Sequence, residues 1–457
     1  VREGKVSHQP VSEMRIVAAL ASLYVFRMLG LFMVFPVMML FGGGYHGASP
    51  FLLGLALGGY GLTQAIFQVP LGLLSDIWGR KPVIFLGLAV FVAGSLVAAT
   101  TDSVWGLIIG RALQGAGAIA SAVMALVGDL TSEQNRTKAM AVIGASIGLS
   151  FSLAMVLGPM LAAVGGLAAI FWTSACMALA GMAVLYLFVP SPQLGKRSGS
   201  EGLAVPHLLR DALRNGELLR LNAGVFALHF ALTAIFVVVP LVLDSAGVES
   251  QKHWHYYLPT MLLAFALMLP LMFLAERKRK IKPVFVFAIA LLLLAEGFMA
   301  ANPSLNAWLL GLLVFFTGFN LLEATLPSLV SKMAHAGSKG TAMGIFSTCQ
   351  FLGAASGGVV GGYVYQRWGF DSVLVAGLAV NGVWLLLALG MRPPRYLTSL
   401  CVPLERELEM DKIRHQVPGV VEALWVKEQA LLYLKVDDSL FEKQQLNHYL
   451  QQAQAAL

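Results

Sequence analysis

Twelve predominantly apolar runs, at 14–41, 50–74, 82–100, 103–128, 138–164, 167–189, 219–243, 256–275, 283–301, 305–330, 340–365 and 371–391, constrain this chain more than any other feature. Each is close to the twenty or so residues that a helix needs to cross roughly 30 Å of hydrocarbon. In lipid a spanning backbone must satisfy its own hydrogen bonds, and barrel strands would be shorter and alternating, so helices are expected. Composition agrees, because 58% of the residues are hydrophobic and only 12% charged, too polar-poor to cover a water-soluble domain of 457 residues. The chain therefore reads as a polytopic membrane protein. Its first run is too long for a signal h-region and lacks a convincing cleavage site, so a retained helix is expected. Cys176, Cys349 and Cys401 form no CxxC pair, and His253-Trp254-His255 has no acid beside it, so no metal or disulfide framework is expected. No nucleotide loop, serine-triad or zinc-hydrolase motif is present, which argues against an enzyme, a cofactor and ATP-driven transport.

Loop charge sets the expected orientation. Segments 72–82, 129–138, 190–220, 276–283 and 331–340 carry sixteen Lys/Arg, against Lys252 and Arg367 in the opposite loops. The positive-inside rule then places the first set in the cytoplasm, and an even span count puts both termini there. The net charge of +7 is thus no argument for nucleic acid. The longest polar break, 190–218, opens with PSPQLGKRSGSEG, a flexible linker, and continues as PHLLRDALRNGELLR, an expected amphipathic helix on the inner membrane surface. It separates an N-terminal six-helix bundle, 1–189, from a C-terminal one, 219–392.

The two bundles resemble each other. PLGLLSDIWGRKPV (70–83) aligns with PLMFLAERKRKIKPV (270–284), matching Pro70 to Pro270, Leu74 to Leu274, Asp76 to Glu276 and Arg80 to Lys280. Two six-span repeats around a central site is a transporter architecture. From 393 to 457 the composition becomes that of a small soluble domain with the order β-α-β-β-α: YLTSLCVPL, ERELEMDKIRHQ, VVEALWVKEQ, ALLYLKVD and SLFEKQQLNHYLQQA. That order resembles a ferredoxin-like α+β domain, and the Val417-Pro418-Gly419 turn resembles one in heavy-metal-associated domains. Those domains hold soft metal through a CxxC after the first strand; here Cys401 stands alone, so the metal function does not carry over. A fourth strand is missing or confined to the last residues, leaving an edge through which copies can associate.

Between spans two and three, Gly72-x-Leu74-x-Asp76-x-x-Gly79-Arg80-Lys81 resembles the G-x-L-a-D-r-x-G-r-k signature of the major facilitator superfamily, with Ile77 replacing the middle Arg. Span four adds Arg111-Ala-Leu-Gln114-Gly115-Ala-Gly117, similar to the family's R-x-x-q-G-x-g motif. Span five adds Gly158-Pro159, similar to the antiporter motif, although Ala154 stands for its first Gly and the Gly pair is delayed to Gly165-Gly166. The resemblance implies an all-α membrane fold of twelve helices in two pseudo-repeats, working by alternating access on a small-molecule substrate in the bilayer. It also implies a conformational switch of Gly72, Asp76, Gly79, Arg80 and Asp129, in which Arg80 pairs with Asp129 while Asp76 docks at a helix end of the other half. For Lys81 a purely topological role is the simpler reading.

Charges within spans are costly, about 2.5–3.5 kcal/mol each on insertion scales, and so mark function. Glu323, near the middle of its span, is the foremost candidate for carrying a proton; Glu296 is the second, unless it is merely hydrated near the outer surface. His229 either exchanges protons or packs against a backbone carbonyl, and both readings stay open. Arg111 begins a motif that the family resemblance associates with proton transfer. Arg27 and Arg111 can pair with Glu323 or bind an anionic substrate. Phe32, Gln114, Phe226, Asn320 and Gln350 complete the expected cavity, with Gln64, Gln68, Phe230 and Met33 beside them. The resulting expectation is a proton-coupled efflux antiporter of small amphipathic compounds. A proton-coupled importer and a receptor or scaffold acting through its C-terminal domain are the rivals.

Overall fold

In the computed structural model, the described residues are 13–131, 133–190, 210, 212–334, 339–393, 398–404, 410–426, 431–437, 440–442, 444–446 and 449–450. They form two compact units. The first takes those within 1–197, 236–258 and 358–366; the second takes those within 198–235, 259–357 and 367–457. The linker expected after Pro190, the start of the amphipathic helix behind it (206–209 and 211) and the last residues of the chain lie outside the described set; 212–214 are helical, and from Gly216 the chain already belongs to the next membrane helix.

The membrane region consists of α1 (Glu13–Phe32), α2 (Met38–Phe41), α3 (Pro50–Trp78), α4 (Arg80–Thr100), α5 (Val104–Ala116), α6 (Ala120–Leu130), α7 (Glu133–Phe188), α8 (Gly216–Ser245), α9 (Trp254–Arg277), α10 (Ile281–Ala301), α11 (Leu305–Met333), α12 (Lys339–Trp368) and α13 (Phe370–Leu389). Among the described residues, eleven helical stretches are long and apolar enough to cross a membrane, one of them Lys138–Phe188. That stretch breaks at Gly165–Gly166, where Gly166 takes φ +62°, a left-handed conformation that a side chain disfavours.

Two spans expected to be continuous are interrupted. The run at 14–41 stops at Phe32 and resumes at Met38, because Pro36 lacks an N–H and its ring crowds the carbonyl four residues back. The run at 103–128 breaks between α5 and α6, where Gly117 lies backbone to backbone against Gly87 of α4 with no room for a Cβ. Polar backbone freed at such a break is tolerable inside a membrane only when it is buried in protein.

In the first unit α1 packs on α7, and α5 packs on α3 and α4. An aromatic cluster joins Phe32 to Phe35 and Phe151 at 5.9 and 5.1 Å, and Phe236 to Phe35 at 5.8 Å. Gly54 presses on Gly362, where a Cβ would lie 2.9 Å from the opposing Cα. In the second unit α10 packs on α11 and α13.

The sequence duplication has a structural counterpart in each unit. Lys81, just before Pro82, donates to the Val189 carbonyl at 2.6 Å; Lys282, just before Pro283, donates to the Leu389 carbonyl at 3.1 Å. Each lysine thus meets a carbonyl at the C-terminal end of a helix, where a cation is favoured.

The C-terminal region holds strands β1 (Thr398–Pro403), β2 (Val420–Val426) and β3 (Leu431–Val436), with helix α14 (Met410–Gln416) after β1. The sheet is antiparallel in the order β1-β3-β2. Alternation along β3 sends Leu432, Leu434 and Val436 into a core with Leu404, Ile413 and Val417. Tyr433 and Lys435 therefore take the opposite face. Gly419, at φ +82°, supplies the left-handed turn into β2 that the Val-Pro-Gly sequence anticipates. Of the final expected helix, the described residues 444–446 and 449–450 are helical.

Candidate functional site

Three polar clusters interrupt the apolar packing, and each lies within one unit. The first is the turn between α3 and α4. Gly79, at φ +95°, turns the chain so sharply that Arg80 folds back onto α3. Its guanidinium meets Asp76 at 2.5 Å, Asp129 at 3.1 Å and the Ser75 hydroxyl at 2.7 Å. Gly72 leaves space for α6, since a Cβ there would lie 3.0 Å from the Ser121 hydroxyl. One arginine thus ties both acids, with side chains only 10–23% exposed, into a charge-assisted cluster. In the second unit the acid that aligns with Asp76, Glu276, pairs with Lys332 at 3.4 Å.

The second cluster lies in the second unit and joins His229 of α8, Glu323 of α11 and Gln350 of α12. Helices α8 and α12 approach closely because Gly353 and Gly357 rest on the carbonyls of Phe226 and Phe230, which a Cβ would strike. Phe226 itself stacks on Phe230 at 6.4 Å. His229 Nδ1 lies 3.1 Å from the Val225 carbonyl, which can only accept, so Nδ1 carries the proton and Nε2 is the acceptor in the neutral ring. The Gln350 amide nitrogen lies 2.8 Å from that Nε2 and 3.4 Å from Glu323 Oε1. Glu323 Oε2 is 3.6 Å from the same Nε2. The Glu323 side chain is 39% exposed against 10% for His229, so the carboxylate faces open space. Asn320 is half-buried one turn away on α11.

Glu296 of α10 stands apart from this cluster, buried rather than hydrated, at 2% exposure. Both carboxyl oxygens accept from the Asn381 amide at 3.0 Å, and Gly377 on the same helix, α13, leaves room for them.

The third cluster belongs to the first unit. Arg27 of α1 donates to Gln64 of α3, and the Gln64 amide donates to Gln68 at 3.2 Å. Arg111 of α5 donates to Gln114 at 2.8 Å and to the Ala56 carbonyl at 3.4 Å, and its guanidinium covers the Tyr60 ring at 4.9 Å. Gln114 donates in turn to Ser95 at 2.8 Å. Arg27 and Arg111 are 2% and 0% exposed. Within their own unit the two arginines are held by glutamine and backbone partners.

Phe32 sits in the aromatic cluster of the first unit. Gly158 abuts the Met33 carbonyl and the Pro36 ring, beside Pro159 inside α7. Sequence reasoning missed Ser75, Ser95, Tyr60 and Asn381. A polar side chain in an apolar run was the available signal, but nothing local says which neighbouring span it meets.

The family model described as Major Facilitator Superfamily matches residues 20–358. The chain belongs to the major facilitator superfamily. It is 45% identical over 447 residues to the inner membrane transport protein YajR of Escherichia coli (strain K12), covering 96% of this chain and 98% of that one. It is 28% identical over 365 residues to the multidrug resistance protein MdtH of Aeromonas hydrophila, covering 76% and 86%. Among solved structures, a bacterial homologue of the human lysosomal transporter Spinster, inward-facing and occupied, superposes with a TM-score of 0.70 at 13% identity, over 83% of this chain and 97% of that one. This superfamily member is therefore a multi-pass membrane transporter and not an enzyme.

Proposed function

We propose that the protein is a proton-coupled efflux antiporter of small molecules, working by alternating access, with His229, Glu323 and Gln350 as its proton site. The observation that carries this reading is the single acceptor nitrogen of His229, shared between an amide donor and a carboxylate. In the neutral ring Nε2 takes a hydrogen bond from Gln350. Once protonated it can no longer accept, so the Gln350 amide must turn or leave, and Nε2–H is free to donate to Glu323. Arrival of one proton thus exchanges the partners of three helices, a two-state element that a proton gradient can bias. The exposed Glu323 carboxylate is the natural point of entry. The multidrug resistance name of the Aeromonas hydrophila relative supports efflux.

Around this site, the Lys138–Phe188 stretch is about 75 Å long at 1.5 Å per residue, enough for two crossings with the break at Gly165–Gly166 between them. The total is then twelve spans with both termini in the cytoplasm. Asp76, Arg80 and Asp129 form the lock that closes the cytoplasmic side. The C-terminal region is a ferredoxin-like module whose edge strands β1 and β2 give a second copy somewhere to pair.

The test is a substrate screen in proteoliposomes with an imposed pH gradient, comparing the intact protein with Glu323→Gln. Gradient-driven uptake that disappears in Glu323→Gln while binding persists is the expected outcome. Identical uptake by both proteins would remove Glu323 from the mechanism.

A further inference from the structure

The buried arginine of α1 is left over from the proton mechanism, and its surroundings are one-sided. Arg27 is 2% exposed, yet Nε and Nη1 have no hydrogen-bond partner among the described residues. Guanidinium cannot shed its proton to escape burial, so one left short of partners is a place for an anion. The stretches 14–75, 77–101, 103–128 and 134–188 of its unit contain no Asp or Glu, and the acids of the unit's segment 236–258 are Asp244, in the last turn of α8, and Glu249, which pairs with Lys252. Glu323, the embedded acid nearest mid-span in sequence, is engaged with His229 and Gln350.

The two glutamines sharpen the argument, because their orientation follows from chemistry. Arg27 can only donate, so Gln64 must turn its oxygen toward it and its nitrogen toward Gln68. Gln68 must then accept through its own oxygen, and the relay ends on the Gln68 amide nitrogen. Every polar end of the relay is therefore an N–H, and the cluster offers donors only. Arg111, in contrast, is cradled by Gln114, the Ala56 carbonyl and the Tyr60 face. Among the described residues Arg111 leaves one guanidinium nitrogen, Nη2, without a partner, whereas Arg27 leaves two and lacks the aromatic face.

We infer that Arg27, backed by Gln64 and Gln68, binds the anionic group of the transported compound, so that the substrate class is small organic anions bearing a carboxylate, sulfonate or phosphate. This rests on the transporter reading above and specifies what such a transporter carries.

The inference is tested by thermal shift of the detergent-purified full chain, without any pH gradient. The probes are aromatic and aliphatic carboxylates, sulfonates and phosphates, each beside its neutral amide and its ammonium analogue, with sodium chloride as the inorganic control. At least one organic anion should raise the melting temperature in a saturable way while its amide and ammonium analogues do not. Arg27→Gln should weaken that binding about tenfold or more, the usual loss for a charge-assisted hydrogen bond. Arg27→Lys, which keeps the charge, should retain part of it and shows that the fold survives. Binding is read here without a pH gradient, so failure of anion recognition is told apart from failure of proton coupling. The inference is overturned if no organic anion binds, if amides or ammonium analogues bind equally, if chloride alone reproduces the shift, or if Arg27→Gln binds as the intact protein does.

Discussion

Glu296 and Glu323 are both carboxylates embedded in apolar helices, and their neighbours give them different work. Glu296 is enclosed by one Asn381 amide at the crossing of α10 and α13, whereas Glu323 faces open space beside a histidine. Glu296→Gln should therefore leave gradient-driven transport intact, and a transport assay that finds it abolished would make Glu296 the carrier instead. Gly377→Ala should destabilise the protein by about 1–3 kcal/mol, because the new methyl would fall 2.5 Å from Glu296 Oε1 in a packed interior. A lowered melting temperature, with Glu296→Ala partly relieving it, is the check. The residues of the proton cluster were individually visible in the sequence as His229, Glu323 and Gln350. Their grouping was not, because the approach of α8 and α12 depends on where Gly353 and Gly357 meet the opposing backbone. Asn381 stayed invisible for the same reason, being 85 residues from the carboxylate it serves.

The helices were legible from apolar run length and the breaks largely were not. A run of apolar residues fixes that a segment crosses lipid, while Pro36 and Gly117 interrupt their helices through local backbone contacts that hydropathy averages away. The turn between α3 and α4 was the better case, since its motif anticipates a glycine that must take positive φ. Gly79→Ala should cost about 1–3 kcal/mol and loosen the Arg80 cluster, measurable as lower thermal stability and faster proteolysis at this turn. In the C-terminal sheet, β3 alternation puts Lys435 on the face away from the core, yet it is 3% exposed and donates to the Lys332 carbonyl at the end of α11 at 2.9 Å. Burial pulls the Lys435 ammonium below the usual lysine range; Lys339 nearby acts in the same direction and Glu422 opposes it. The unfolded domain then holds this proton more tightly than the folded one, so stability should rise as pH climbs from the shifted value toward the ordinary one. Unfolding of the full chain followed by hydrogen exchange in β3 should show that rise, and Lys435→Met should remove it. An identical pH profile in Lys435→Met would refute the assignment.

On the scale of the whole transporter, the account separates what sets the facing direction from what sets the cargo. In the proposed division Asp76, Arg80 and Asp129 would set the facing direction, Arg27 the cargo and Glu323 the proton. Asp76→Asn removes one of the two acids on Arg80 and should shift the balance toward inward opening by roughly two- to thirtyfold, the range that about 0.3–2 kcal/mol gives. Cysteine labelling from the two sides of the membrane reads that ratio, and an unchanged ratio would contradict the lock. The family and the two-fold repeat could be read from motifs that recur at fixed places in the chain. The cargo could not, because a buried arginine looks the same in sequence whether an internal acid or a substrate completes it. The central claim is exchange of substrate against protons, and its direct measurement is the interior pH of vesicles carrying the protein and a trapped pH-sensitive dye. When a transported anion is added outside, the interior should turn alkaline as protons leave, and Glu323→Gln should abolish the change. Acidification of the interior would mean symport, and no change with substrate still moving would mean that transport is not proton-coupled at all.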